Sequence, residues 1–186
     1  SGALYAGHGI WRSTDSGNTW TQMSFPAANQ EFTFDQRFDI ITKIAVHPTT
    51  GDLFVAALGA IYRFDISAGT WVTEVIAAGG FNTSQLTDVV ITSSGRVYAA
   101  FSGSGPVASE GIWTSNNATG AAAGTWTRIA NDANPVGWNQ TGRAVLGLAP
   151  SNQNLLYVLY LSDASTPSPG DSDLWRWDQS ISTWTN

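Results

Sequence analysis

The chain has no cysteine, a single lysine (Lys43) and few charged side chains of either sign. The absence of cysteine excludes disulfides, thiol nucleophiles and thiolate metal sites. Charged residues make up 12% of the 186 residues, and the formal net charge is −6. A surface that binds nucleic acid needs clustered Lys and Arg side chains. The composition therefore argues against a nucleic-acid partner.

Long apolar runs are also missing. No stretch of about 18 apolar residues occurs, so we expect no membrane span. The first residue is not Met and no signal-peptide pattern is visible, which predicts that the start has been removed or lies upstream. Low lysine with abundant Thr, Ser, Gly and Asn is typical of a secreted protein, extracellular or periplasmic. Three N-glycosylation sequons, at Asn82, Asn117 and Asn139, are expected by chance in so Asn- and Thr-rich a chain.

The chain does contain a sequence motif that occurs four times, an aliphatic–aromatic pair followed by Thr-Trp. The final Trp residues of successive copies are about 50 to 60 residues apart, and self-similarity at such a period indicates a propeller or a related array of sheets. The copies are Ile10-Trp11…Thr19-Trp20, Ile61-Tyr62…Thr70-Trp71, Ile112-Trp113…Thr125-Trp126 and Leu174-Trp175…Thr183-Trp184.

Each copy extends into a unit of short alternating strands joined by tight turns, which predicts an antiparallel meander. No segment shows a helical period. The fold class is therefore predicted as all-β, a β-propeller of four-stranded antiparallel blades. We place blade 1 (strands two to four) at 1–23, blade 2 at 40–75, blade 3 at 86–129 and blade 4 at 143–186, within a single propeller segment.

The first unit is incomplete in the sequence. Ser1–Ala6 matches Ser94–Ala99, so the chain opens at the turn before strand two, and about three and three-quarter blades are present. Either further blades lie outside this sequence, as part of a larger propeller or array, or another copy supplies the missing strand.

The run Ser13-Thr14-Asp15-Ser16-Gly17-Asn18-Thr19-Trp20 resembles the Asp-box hairpin turn, S-x-D-x-G-x-T-W. Asp-box (BNR-type) repeats occur in the propellers of sialidases, xyloglucanase-type glycoside hydrolases and sortilin-like receptors. The Asp carboxylate is suited to accept backbone N–H bonds across the turn, the Gly to adopt an unusual φ, and the Trp to pack beneath the hairpin. The resemblance implies a structural role for Ser13, Asp15, Gly17, Thr19 and Trp20.

The other three turns depart from that pattern. Asp65 and Asp178 stand one residue earlier, and the third turn carries the insertion Asn117–Gly124 and no Asp. In xyloglucanase-type enzymes, a catalytic Asp follows strand two of the first blade. The counterparts here, Gly7-His8-Gly9 and Leu58-Gly59-Ala60, have no carboxylate. We therefore assign no catalytic residue to this segment.

In a four-stranded meander the chain reverses direction at every turn, so the turns between strands one and two and between strands three and four lie at the same end of each blade. The turns two–three and the links between blades lie at the other end, here called the long-loop face, where the chain's longer connections accumulate. Function tends to reside in loops on a rigid scaffold. The ligand-binding candidates on this face are Arg37, Asp39, Asp88, Trp138 and Arg143, accompanied by the acidic side chains Glu31, Asp35, Glu110, Asp163, Asp171 and Asp173.

His8 and His47 lack clustered partners, and no nucleotide or phosphate motif occurs, so neither a metal nor a cofactor is predicted. Three functions remain open. The first is a noncatalytic scaffold that binds protein or polysaccharide through the long-loop face. The second is part of a glycoside hydrolase, xyloglucanase- or sialidase-like, with catalytic residues partly outside this segment. The third is a structural protein that assembles into a ring or fibre by blade stacking or strand completion.

Overall fold

A computed structural model describes residues 9–24, 36–77, 85–102, 109–131, 134–138, 140–162 and 172–186. The predictions that concern Ser1–Ala6, the sequons Asn82 and Asn139, and the acidic residues Glu31, Asp35, Asp163 and Asp171 lie outside these residues.

The described residues form one two-stranded hairpin and three four-stranded antiparallel sheets, each in meander order. This confirms the predicted fold class, all-β with four-stranded blade-like units. The first hairpin is β1 (Trp11–Arg12) and β2 (Thr21–Gln22). The second sheet is β3 (Ile41–Val46), β4 (Leu53–Ala57), β5 (Ala60–Asp65) and β6 (Thr70–Ile76). The third is β7 (Leu86–Ile91), β8 (Val97–Ser102), β9 (Gly111–Ser115) and β10 (Thr127–Ala130), and the fourth is β11 (Gln140–Leu148), β12 (Leu155–Ser162), β13 (Ser172–Asp178) and β14 (Thr183–Thr185).

Short polar turns separate the strands. After β3, the backbone N–H groups of Thr49 and Thr50 donate to Nδ1 of His47 at 3.3 and 3.2 Å, so His47 ends the strand and shapes the turn. The same imidazole lies against the equivalent turn of the third sheet. A Cβ on Gly95 would come within 2.5 Å of His47 Nε2, and φ there is +89°. The turn between β7 and β8 therefore requires glycine at this position.

Consecutive sheets stack face to face, and strand alternation gives each sheet two different faces. We call the face that packs against the following sheet the trailing face, and the face that packs against the preceding unit the leading face. From the second sheet, Phe54 and Ala56 are on the trailing face and pack with Val97 and Ala99 of the third. From the third sheet, the trailing residues Tyr98, Ala100 and Ile112 pack with the leading residues Leu156, Val158 and Trp175 of the fourth.

In the second, third and fourth units, the Trp that closes the repeat also bonds to the preceding unit. The indole N–H of Trp71 donates to the carbonyl of Ser24, that of Trp126 to Glu74 Oε2 at 3.1 Å, and that of Trp184 to the carbonyl of Ile129 at 2.8 Å. These Trp residues are thus contacts between neighbouring units. Among the described residues, no helix is long and apolar enough to cross a membrane.

Candidate functional site

The first turn is held together by the carboxylate of Asp15. Its Oδ1 accepts the backbone N–H of Thr19 at 2.8 Å, and Oδ2 accepts the Thr19 hydroxyl at 2.6 Å. The Ser13 hydroxyl donates to Oδ1 and accepts the N–H of Gly17, whose φ is +90°. Hydrogen bonds from Thr19 and Ser13 lower the Asp15 pKa to about 2.

Trp20 differs from the other three Trp residues that close a repeat. Its ring is 59% exposed, and its indole N–H donates to the carbonyl of Gly17 at 3.1 Å. The other three repeat Trp residues donate to a preceding unit, whereas this one bonds within its own turn. The ring therefore contacts its own turn and leaves much of its surface exposed.

In the second and fourth turns an Asp carboxylate also accepts backbone N–H groups, but from residues closer to it in sequence. Asp65 Oδ1 accepts the N–H groups of Ser67 and Ala68, both at 2.9 Å, and Asp178 Oδ1 accepts the N–H of Ser180 at 2.9 Å. The pKa of each carboxyl is lowered, chiefly by the Ser67 or Ser180 hydroxyl. Moving the Asp one residue earlier thus produces a local Asx-type turn instead of a bond across the hairpin.

Asn117 is a structural residue that the sequence analysis missed. Its Oδ1 accepts the Ser115 hydroxyl at 3.0 Å and the N–H of Thr125 at 2.8 Å, the same pair of bonds that Asp15 makes with Ser13 and Thr19. The third turn therefore retains the frame of the first, with Asn in place of Asp and an insertion inside the frame. A search for S-x-[DN] before a distant T-W would have found it.

The insertion packs on the second sheet, over a buried ion cluster. Arg63 is fully buried, and pairs with Glu74 at 2.7 Å and with Asp52 at 3.0 Å. Its Nη2 donates to the carbonyls of Gly120 and Ala122 in the insertion, at 2.6 and 3.1 Å. Arg63 therefore has a structural role, and the insertion covers its guanidinium.

The sequence-predicted candidates lie in three separate places. Arg37 and Asp39 share a single-turn 3₁₀ helix that precedes β3. Asp39 is 1% exposed and accepts the N–H of Gln36 at 2.7 Å. Arg37 donates to the carbonyl of Leu58 at 2.8 Å and to Gln85 Oε1 at 3.0 Å, joining the second sheet to the start of the third. Partial burial lowers the Arg37 pKa.

Asp88 occupies the inner strand of the third sheet and is 2% exposed. Its Oδ1 pairs with Lys43 Nζ at 3.0 Å, and its Oδ2 accepts the backbone N–H of Leu146 at 2.8 Å. One carboxylate therefore bonds to the second and fourth sheets at once.

The remaining two candidates belong to the fourth sheet and its link. Trp138 is 3% exposed, and its ring centroid lies 4.6 Å from Tyr160 and 5.3 Å from Trp184. Arg143, on β11, is exposed. Asp39, Asp88 and Trp138 thus hold the fold together, and the predicted ligand-binding role of the five candidates stays a prediction.

Beside Trp138, the junction of the third and fourth sheets forms a groove of about 410 Å³. We call it the outer groove. Val136, on the link between β10 and β11, is 94% exposed at its rim, and the rings of Trp177 and Trp184 lie 5.2 Å apart in its wall. The groove is lined by Arg128, Ile129, Asn134, Pro135, Val136, Trp177, Ser182, Thr183 and Trp184.

The lining of the outer groove combines indole rings, a guanidinium, a side-chain amide and two hydroxyls. Binding sites for small molecules and sugars typically combine an apolar wall with a few polar groups that fix orientation. Among the described residues, no three His, Cys, Asp or Glu side chains are grouped closely enough to hold a metal ion.

No protein-family model matches the chain, and no curated protein matches it at a significant level.

Proposed function

We propose that this chain is a noncatalytic scaffold of the Asp-box β-propeller type, located outside the cytoplasm. It binds protein or glycan through the long-loop face, with the outer groove as the principal site. The observation that carries this proposal is the groove itself, which extends from the link between β10 and β11 on that face to the turn before β14 at the other end of the sheet.

The use of the carboxylates supports a scaffold over a glycoside hydrolase. A glycosidase needs an acid and a second carboxylate that face the substrate at a defined separation. Here seven of the described carboxylates bond to turns, to a buried guanidinium or to neighbouring sheets. The turn residues are Asp15, Asp65 and Asp178, the partners of Arg63 are Asp52 and Glu74, and the remaining contacts are those of Asp39 and Asp88.

Binding is tested with immobilised glycans and with proteins captured from the source medium, followed by titration of each hit. Val136→Asp places a charge at the rim of the groove, at a side chain that is 94% exposed. We expect it to weaken binding by about tenfold, the equivalent of about 1.4 kcal/mol, without lowering the melting temperature. The matched control is Ile76→Asp, because Ile76 is also an exposed aliphatic residue but lies at the end of β6.

Unchanged affinity in Val136→Asp would contradict the groove as the site. Hydrolysis is assayed separately as reducing sugar released from plant and microbial polysaccharides. The proposal expects none, and release that survives purification of the chain would favour the glycoside hydrolase alternative.

A further inference from the structure

The fourth sheet exposes five apolar side chains on one face. Val145, Leu159 and Leu174 form a cross-strand row, since β11 pairs Val145 with Leu159 and β13 pairs Leu174 with Leu159. Tyr157 and Leu161 lie two residues to either side of Leu159 on the same face. The exposed fractions are 44% for Val145, 37% for Tyr157, 46% for Leu159, 42% for Leu161 and 55% for Leu174.

This is the trailing face, the one that the second and third sheets bury. The repeat equivalents of Leu174 are Ile61 and Ile112, which follow the same pattern and are each 0% exposed against the next sheet. In both interfaces between four-stranded sheets of this molecule, a trailing face of this kind therefore contacts the leading face of the next unit.

The fourth sheet also carries the repeat equivalent of a polar residue that binds the following unit, and this residue is Arg176. It is exposed, and by its place after the repeat aromatic it corresponds to Arg63, whose guanidinium binds two carbonyls of the following unit's turn. The trailing face of the fourth sheet thus exposes an apolar row and a guanidinium. The second sheet binds the third through equivalent groups.

The opposite side of the molecule exposes the matching elements. In the first hairpin, Trp11 is 46% exposed and Trp20 is 59% exposed. Their repeat equivalents Trp175 and Trp184 contact the preceding sheet, Trp175 within the apolar core and Trp184 through its bond to Ile129. The leading side of the first hairpin therefore exposes aromatic side chains, whereas the trailing face of the fourth sheet exposes mainly aliphatic ones.

We propose that the trailing face of the fourth sheet binds the leading side of the first hairpin in a second copy of this chain. The contact is head-to-tail, so repetition gives a ring if the rotation closes and a fibre if it does not. This interaction uses a different surface from the outer groove and goes beyond the proposed binding function.

The mass of the chain in solution is measured by light scattering over a wide range of concentration. We expect a rise from 19.8 kDa towards its multiples. Leu174→Asp introduces a charge into the apolar row and is expected to raise the dissociation constant about tenfold or more. Ile181→Asp is the matched control, because Ile181 is 68% exposed but lies in the turn before β14. Circular dichroism and melting establish that both variants fold.

Mixing two blocked variants tests the direction of the contact. Leu174→Asp blocks the trailing face and Trp11→Asp blocks the leading side, so each is expected to be monomeric alone. Mixed, they retain one intact pair of surfaces and form a 1:1 dimer that grows no further. A wild-type chain that stays monomeric at all concentrations overturns the proposal. So does self-association of folded Trp11→Asp, which would indicate contact between two trailing faces.

Discussion

Asp15 stabilises the first turn more strongly when its carboxyl is ionised than when it is protonated. Its folded-state pKa of about 2 lies below the ordinary value of 3.8. A depressed pKa means that the contribution is fully present above about pH 4 and is lost as the pH falls through about 2. The pKa values of Asp65 and Asp178 are shifted in the same direction, so the turns weaken together in acid.

Asp15→Asn removes this titration but leaves a side-chain oxygen in place, as Asn117 does in the third turn. We expect the variant to be less stable than wild type at neutral pH, with a difference that shrinks between about pH 4 and pH 2. The measurement is the melting temperature of both proteins across this range. A difference that does not change with pH would mean that the charge of Asp15 contributes nothing to the turn.

The third turn shows that the hairpin frame depends on its two anchors and not on its length. The anchors are Asn117 and Thr125, bonded at 2.8 Å across the insertion. We expect Asn117→Ala to lower the free energy of unfolding by about 1 kcal/mol, because the bonds from Ser115 and Thr125 lose their acceptor. Asn117→Asp restores the residue of the first turn and is expected to stay within about 0.5 kcal/mol of wild type.

Denaturant unfolding measures both variants, with Asn116→Ala as the control at the exposed neighbouring position. Equal losses in Asn117→Ala and Asn117→Asp would show that the amide, and not the acceptor oxygen, is what the turn requires.

At the same scale, the sequence predicted the strands well and the turns less well. The sequence marks β3 in two ways, because apolar alternation runs along the strand and His47-Pro48 directly follows its last residue. Asn117 was missed since the search required an Asp at fixed spacing, while the bond requires only an oxygen at the right place. Trp20 bonds to its own turn, whereas the later repeat Trp residues bond to a preceding unit, and the local sequence pattern does not encode this difference.

Over the whole molecule, Asp88 joins three sheets through one buried carboxylate. Asp88→Ala is expected to lower the free energy of unfolding by about 1 to 3 kcal/mol, because it leaves the buried N–H of Leu146 without an acceptor. Lys43→Met is the control. The Lys43 side chain is 37% exposed, so its ion pair should contribute only about 0 to 1 kcal/mol. Denaturant midpoints and slopes give both values, and equal losses would place the effect in the ion pair instead.

The sequence could predict the array but not the function of Asp88 within it. A carboxylate near the end of an inner strand is as suited to a ligand as to a neighbouring sheet, and only the stacking of the sheets decides between them. Trp138 presents the same ambiguity, since an aromatic outside the repeat suits a binding platform and a core equally. Its 3% exposure places it in the core. The outer groove was not predicted because its lining comes from two sheets and a link.

The cover over Arg63 has a consequence for the order of folding. The second sheet on its own can pair this guanidinium with Glu74 and Asp52, but the carbonyls that complete its burial belong to Gly120 and Ala122, in a turn made about 57 to 59 residues later in the chain. During synthesis, the second sheet must therefore keep a hydrated charge at its surface until the third turn emerges. The second sheet therefore cannot reach its final form until the third turn has been synthesised.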